Sequence, residues 1–372
     1  MAVLLALTTA ILFGSTVNAG EVEISAHAAI LYDPLTETIL YDRRSDEAMP
    51  MASTTKIMTA LLAFESGRVE EPVEISQEMV NVEGSSMGLM PGDVLTLGSI
   101  AEGMLLASGN DGANAVALFL GGSTEGFAQM MNARAAEIGM TNTCFVTASG
   151  LDAEGHASTA YDMALLATEA MQCPEFRDTV GSFSTMVHFI EPEKTVRYDN
   201  HNRLLTMYDG CCGIKTGFTK KAGRCLVSAA KRNDAELICV TLNAPDDWND
   251  HMKLFEYGFE RFESRALSCE RYFVPVVGGM MDEVLCGANT VPERYLLDNA
   301  EVAVRAELPR FIYAPVEKGE KIGKVIYSVN GRNIAEAELY AENDIGVDQK
   351  EQSKLYGLLG SLFGGKQKKV FN

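Results

Sequence analysis

Two side chains near the start of the sequence have types and spacing suited to nucleophilic catalysis. In the stretch Pro50 to Phe64, Ser53 stands at the mouth of a helix-patterned segment and Lys56 follows three positions later. Residues three apart share a helix face, so Ser53 Oγ and the Lys56 amine can touch. A serine hydroxyl is a poor nucleophile until a base takes its proton, and the positive end of a helix favours the charge that then develops on the oxygen. The spacing alone is weak, because a serine capping a helix ahead of a solvated lysine gives the same letters. Ser228-Ala229-Ala230-Lys231 repeats it at the end of an alternating run from Cys225 that reads as a strand, where the two side chains would point to opposite faces.

Two further polar groups keep company with Ser53. Ser108-Gly109-Asn110 lies between the apolar Met104 to Ala107 and the helical Ala113 to Ala117, on a tight turn able to push two polar side chains into a cleft. Ser328-Val329-Asn330 carries the same pattern inside a predicted strand, so S-x-N by itself is no signal. Lys215-Thr216-Gly217 sits on a strand whose glycine would let a ligand backbone approach the sheet edge.

The elements that must hold these residues are legible in outline. His27 to Pro34 and Thr38 to Arg43 alternate about a turn and predict a β-hairpin leading into the Ser53 helix, which ends near Gly67. Residues 98–174 carry Ala, Leu and Met at helical spacing. From about 183 to 243 strands return, with antiparallel candidates around Gly213, Arg224 and Glu236, and Asn249 to Phe262 predicts a helix packed back on them. After about residue 270, short alternating runs with Gly and Asn-Gly turns predict a small β-sandwich.

Composition narrows the function. At 372 residues, 47% hydrophobic and 22% charged, the chain is a folded protein of two or three domains. A formal charge of −20 argues against a nucleic-acid partner. Phosphate-loop, zincin and C-x-x-C motifs are absent, and His27, His156, His188, His201 and His251 lack ligand spacing, so neither metal nor cofactor is expected. Residues 1–19 pair an apolar run with small residues suited to cleavage and read as an export signal. Eight cysteines sit singly in apolar stretches, apart from adjacent Cys211 and Cys212, and read as buried free thiols. Near the C-terminus, Leu355, Leu358, Leu359, Leu362 and Phe363 make one apolar helical face, followed by Lys366, Lys368 and Lys369. That pattern suits a helix lying in an anionic membrane interface; docking on the β domain is the alternative.

The order S-x-x-K, S-x-N, K-T-G is the set found in penicillin-binding proteins and class A β-lactamases, with Gly for Asp in the middle motif. With flanks such as Ala52 to Leu61, Ser108 to Ala117, Gly139 to Phe145, His156 to Ala164 and Gly213 to Gly223, the mature chain resembles the low-molecular-weight penicillin-binding proteins, serine D-alanyl-D-alanine carboxypeptidases of the peptidase S11 type. The resemblance implies an α/β (α+β) transpeptidase fold: an antiparallel sheet flanked by helices, with a helical subdomain and a small C-terminal β-sandwich. The expected divisions are a signal peptide 1–19, a catalytic domain 20–269 with its helical subdomain at about 67–182, a β domain 270–345 and an amphipathic tail 346–372.

Carried over residue by residue, the resemblance makes Ser53 the nucleophile on the carbonyl between two D-alanines and Lys56 its base. Ser108 relays a proton to the leaving nitrogen, Asn110 holds the substrate's amide, and Lys215 and Thr216 grip its terminal carboxylate. Gly217 leaves room at the strand edge, and the backbone N–H groups of Ser53 and Phe218 form the oxyanion hole. Relatives often add an arginine after the sheet's last strand, but Asn243 to Asp250 holds no basic residue, so Arg224 or Arg203 substitutes or Lys215 and Thr216 act alone. The implied substrate is a peptidoglycan stem peptide, with β-lactams as inhibitors, at the outer face of the cytoplasmic membrane or in the cell wall, serving peptidoglycan biosynthesis and cell shape. A serine β-lactamase of the same fold lacks its usual E-x-x-L-N stretch here, and a non-catalytic wall-binding protein would not need intact Ser53, Lys56 and Lys215.

Overall fold

The computed structural model describes residues 22–349. The hairpin β1 (Ala28–Asp33) and β2 (Thr38–Arg43) leads through a single 3-10 turn, Ala52–Thr55, into α1 (Lys56–Glu65). Nearly every residue of α1 is buried, from Lys56 through Ala63, as a helix apolar on all sides requires. A small ribbon, β3 (Pro72–Glu74) with β4 (Val94–Thr96), encloses the one-turn α2 (Gln77–Val80). The helical part follows as α3 (Leu97–Ala107), α4 (Asn110–Gly121), α5 (Thr124–Ile138), α6 (Ala160–Ala170) and α7 (Pro174–Gly181). Thr96, Ser123 and Thr159 cap α3, α5 and α6 by accepting a backbone N–H three residues on.

A separate hairpin, β5 (Ser184–Phe189) and β6 (Lys194–Asp199), packs on α3; a short α8 (Leu204–Met207) then precedes the strands that complete the main sheet. These are β7 (Cys211–Thr219), β8 (Gly223–Arg232) and β9 (Ala235–Leu242), giving the order β2-β1-β9-β8-β7, antiparallel throughout. Side chains alternate between two cores: Cys225, Val227 and Ala229 face the helices α1 to α7, whereas Leu226 and Ala230 face the other side. That second face is covered by α9 (Asp247–Phe259), which starts and stops two to three residues before the expected Asn249 to Phe262. Phe262 instead opens β10 (Phe262–Ala266). Ser228 belongs to the α9 face, where its hydroxyl meets buried His251, while Lys231 is exposed, so the second S-x-x-K is divided by the sheet.

The C-terminal β domain holds β11 (Tyr272–Val277), β12 (Glu283–Ala288), β13 (Glu293–Leu297), β14 (Ala303–Glu307), β15 (Ile312–Tyr313), β16 (Lys321–Val329) and β17 (Arg332–Ala341). Six strands form one sheet, β14-β16-β17-β12-β11-β15, and β10 pairs with β13 in a two-stranded ribbon. The expected sandwich is thus two sheets of unequal size, and the ribbon uses β10 from before residue 269. Asn330 and Gly331 take positive φ between β16 and β17, so the second S-x-N ends in a two-residue hairpin turn. Aromatic rings run from Phe255 and Phe259 of α9 through Phe262 to Tyr295, in one core shared by the main sheet and the β domain.

All eight cysteines are free thiols. Cys211 packs on the α9 side and Cys212 on the helical side, and burial raises them to about 11 and about 12 respectively. Both therefore stay protonated and unreactive at neutral pH. The apolar tail pattern falls outside the described residues.

Candidate active site

The 3-10 turn that delivers Ser53 is the decisive local feature. With three residues per turn, positions i and i+3 eclipse, so Ser53 in the turn and Lys56 at the first position of α1 stand in line. Lys56 Nζ lies 3.0 Å from Ser53 Oγ, 2.8 Å from Asn110 Oδ1 and 2.6 Å from the Ser149 carbonyl. Lys56 is fully buried, and its pKa is held well below the ordinary 10.5, first by desolvation and then by the charge of Lys215. Both causes favour the uncharged amine beside Ser53, the form that has a lone pair to receive a proton.

Ser108 closes α3 in the left-handed conformation, φ 56 and ψ 33, which turns the chain directly into α4. Asn110, first in α4, is buried with both ends engaged: Oδ1 accepts from Lys56, and Nδ2 donates to the Glu83 carbonyl at 2.6 Å. The expected hold on a substrate amide thus meets a carboxamide already committed to Lys56. The next residue, Asp111, had no sequence role, yet it accepts from the backbone N–H groups of Met87, Gly88 and Leu89 and from Ser86 Oγ. It draws the 85–89 loop over α4, and Ser85 lines the cleft as a result. Only the pairing of an acidic N-terminal helix residue with a Gly-containing polar loop hinted at this.

On the opposite wall, β7 presents Lys215, Thr216, Gly217 and Phe218. Lys215 is fully buried and desolvation lowers it to about 7. Gly217 marks the contact between strand and nucleophile turn, since an added Cβ would meet Ser53 N at 3.0 Å and the Met51 carbonyl at 3.1 Å. Ala52, just ahead of Ser53, has φ 49, and its carbonyl is pressed against Gly150, where an added Cβ would approach to 1.8 Å.

A cleft of about 300 Å³ runs between these walls, lined by Ser53, Ser85, Ser108, His201, Thr216, Gly217, Phe218, Arg224, Asp247 and Trp248. All eight predicted site residues converge here, with Lys56, Asn110 and Lys215 beneath the lining. Of the two arginines considered, Arg224 lines the cleft and Arg203, at the start of α8, does not. His201, Asp247 and Trp248 carried no motif; they arrive because the α7 to β7 connection and the start of α9 border the same opening. Burial, and then the Lys215 charge, lower the His201 pKa. His156 is a satisfied interior residue, accepting from Val146 N and paired with Thr55 Oγ1. Among the described residues no group of His, Cys, Asp and Glu side chains is arranged to hold a metal.

The family model described as D-alanyl-D-alanine carboxypeptidase matches residues 15–246, and that of the C-terminal domain of penicillin-binding protein 5 matches residues 297–347. The chain is 33% identical over 362 residues to the D-alanyl-D-alanine carboxypeptidase DacC of Escherichia coli, covering 91% of this chain and 88% of that one. It is 31% identical over 339 residues to DacF of Bacillus subtilis, covering 87% of each. Penicillin-binding protein 5 from Haemophilus influenzae superposes with a TM-score of 0.62 at 28% identity, over 88% of this chain and 99% of that structure. A family match over more than half of the sequence, with relatives alike along nearly their whole length, makes this chain a member of the D-alanyl-D-alanine carboxypeptidase family.

Proposed function

We propose that the protein is a serine D-Ala-D-Ala carboxypeptidase that removes the terminal D-alanine from peptidoglycan stem peptides through an acyl-enzyme, and that β-lactams acylate the same serine. The observation that carries this is the buried Lys56 amine, its pKa lowered, 3.0 Å from Ser53 Oγ at the floor of the cleft. Ser53 Oγ attacks the carbonyl carbon between the D-alanines while Lys56 Nζ takes its proton. The developing oxyanion lies between the backbone N–H groups of Ser53 and Phe218, each such donor stabilising the transition state by roughly 3–4 kcal/mol. When the C–N bond breaks, Lys56 returns the proton through the Ser108 hydroxyl to the leaving amine. Water, deprotonated by Lys56, then hydrolyses the ester. Asn110 positions Lys56, and Lys215 and Thr216 meet the terminal carboxylate. No metal or cofactor enters.

Fluorescent penicillin should label Ser53, and a peptide ending in D-Ala-D-Ala should release D-alanine. An unlabelled Ser53 in folded protein would sink the reading.

The family's setting extends the proposal: the chain is exported with residues 1–19 as its signal, works at the outer membrane face or in the wall, and divides into a catalytic domain with a helical subdomain and a β domain. The tail of residues 346–372 then gives peripheral membrane contact, supported by its one-sided apolar pattern and basic end. Protein with and without residues 350–372 should partition differently onto anionic vesicles at low salt; equal partitioning removes the anchor.

A further inference from the structure

The six-stranded sheet of the β domain has two unlike halves on its outer face. Strand alternation puts Val274, Val276, Val284 and Cys286 in the core and turns their neighbours outward. On β16 and β17 the outward positions are charged and ion-paired, Lys321 with Glu338 and Lys324 with Glu336. On β11, β12 and β15 they are apolar. Phe273 lies opposite Leu285, Val277 lies beside Tyr313, and the Phe311 ring stands edge-on to that of Tyr313 with 5.4 Å between centroids. Phe273 is 65% exposed and Tyr313 70%, and the turn after β11 adds exposed Met280 and Met281. An antiparallel sheet with one covered face ordinarily carries polar residues on the other, so an apolar row there marks a contact surface.

The chain itself leads to this surface. After β17 it runs back along the turn that follows β11: Val347 bridges Gly279, the Asp348 N–H donates to the Gly278 carbonyl at 2.9 Å, and the Met280 N–H donates to the Gly346 carbonyl at 2.9 Å. Residues 350–372 therefore start at the border of the apolar row, and their sequence complements it. Leu355, Leu358, Leu359, Leu362 and Phe363 fall on one side at helical spacing. The eight helical steps from first to last span about 12 Å at a rise of ~1.5 Å. The four strand steps from Phe273 to Val277 span about 13 Å at ~3.3 Å each. Charge agrees as well. The segment holds five lysines and one glutamate in a chain of net charge −20. Glu270, Asp282 and Glu283 adjoin β11 and β12, against Arg310 and against Arg271, which is paired with Glu342.

We propose that this row is the resting seat of the tail: residues 350–372 lay their leucine face on Phe273, Val277, Phe311 and Tyr313 when no membrane is present, and leave it for lipid when one is. This rests on the reading of the tail as a membrane contact and adds an internal competitor for it. One apolar face cannot be buried in two places. The seat therefore lowers the apparent affinity for lipid in proportion to the fraction of molecules whose tail is free. It also removes two apolar surfaces from water at once, which is the driving force for the contact.

The experiment uses the chain from residue 20 with and without residues 350–372, and a double variant, Phe273→Ser with Tyr313→Ser. Both substitutions fall on exposed side chains, so the variant should melt close to the parent; Tyr313→Ser alone replaces it if it does not fold. A dye that fluoresces on apolar surface should bind the tail-less protein more strongly than the full chain, and that gain should vanish in the tail-less double variant. On vesicles of phosphatidylcholine and phosphatidylglycerol, the full-length double variant should bind about 3- to 10-fold more tightly than the full-length parent, because its tail is free more of the time. Equal binding would show that the row does not hold the tail, and weaker binding would make the row itself a lipid contact; either overturns the proposal. A concentration-dependent dimer that the double variant loses would overturn it too, by giving the row to a second copy. If no form binds vesicles while the tail still suppresses dye binding, the membrane reading fails and the seat stands. Tail-dependent vesicle binding with dye binding indifferent to the tail is the reverse.

Discussion

Lys56 owes its chemistry to its place. Three oxygens surround its amine, and desolvation lowers its pKa well below that of a surface lysine, which favours the uncharged form. Replacing it by methionine keeps an unbranched side chain, one atom shorter, and removes the basic amine. Lys56→Met should slow acylation by penicillin about 10²- to 10⁴-fold, the range of a general base. Leaving Asn110 Oδ1 and the Ser149 carbonyl without their donor should lower stability by about 1–3 kcal/mol, read by denaturant melts. The same burial gives a pH signature. Folded, Lys56 and Lys215 bind fewer protons than the unfolded chain, whose lysines titrate near 10.5; Lys215 is moved to about 7. Their burial therefore opposes folding at low and neutral pH, and stability should climb as pH rises from about 7 toward 10.5. Thermal melts across that span, compared with Lys215→Met, check the sign: the variant's climb should be shallower.

At the scale of elements, the site is a contact between the 3-10 turn and the β7 edge, and Gly217 is where they meet. A methyl group there would press on Ser53 N at 3.0 Å and on the Ala52 Cβ at 3.1 Å. Gly217→Ala should move strand and nucleophile apart by a few tenths of an ångström. The expected loss in acylation rate is about 10-fold or more, with a melting temperature close to the parent's, because catalysis is far more sensitive to misplacement than folding is. A rate unchanged from the parent would mean that the turn yields without cost. The S-x-x-K and K-T-G spacings were legible because each is a short run of neighbouring residues. The commitment of Asn110 to Lys56, the role of Asp111 and the approach of Arg224 to the cleft were not, since each joins residues from separate elements.

Across the whole molecule, the aromatic series Phe255, Phe259, Phe262 and Tyr295 links the catalytic sheet to the β domain, and the Arg332 side chain donates to the Pro34 carbonyl at 2.8 Å. Removing one ring from the middle should weaken both parts together. Phe262→Ala should cost about 3–5 kcal/mol, with the two domains losing structure in one transition by circular dichroism and Trp248 emission. Two separate transitions would show that the shared core does not couple them. The β10 to β13 pairing crosses the boundary that texture places at residue 269: β10 follows α9 directly, and only its partner, nearly thirty residues on, ties it to the ribbon. By itself the sequence determined the hairpin, the helical run, the antiparallel strands and the three short motifs that meet at the cleft, since local periodicity and short spacing are properties of adjacent residues. Tertiary structure alone decided which cation reaches the cleft, which polar groups touch the Lys56 amine, and which strand ahead of residue 269 joins the β13 ribbon. Those outcomes depend on burial and on contacts between residues tens to hundreds of positions apart, and a one-dimensional pattern carries neither.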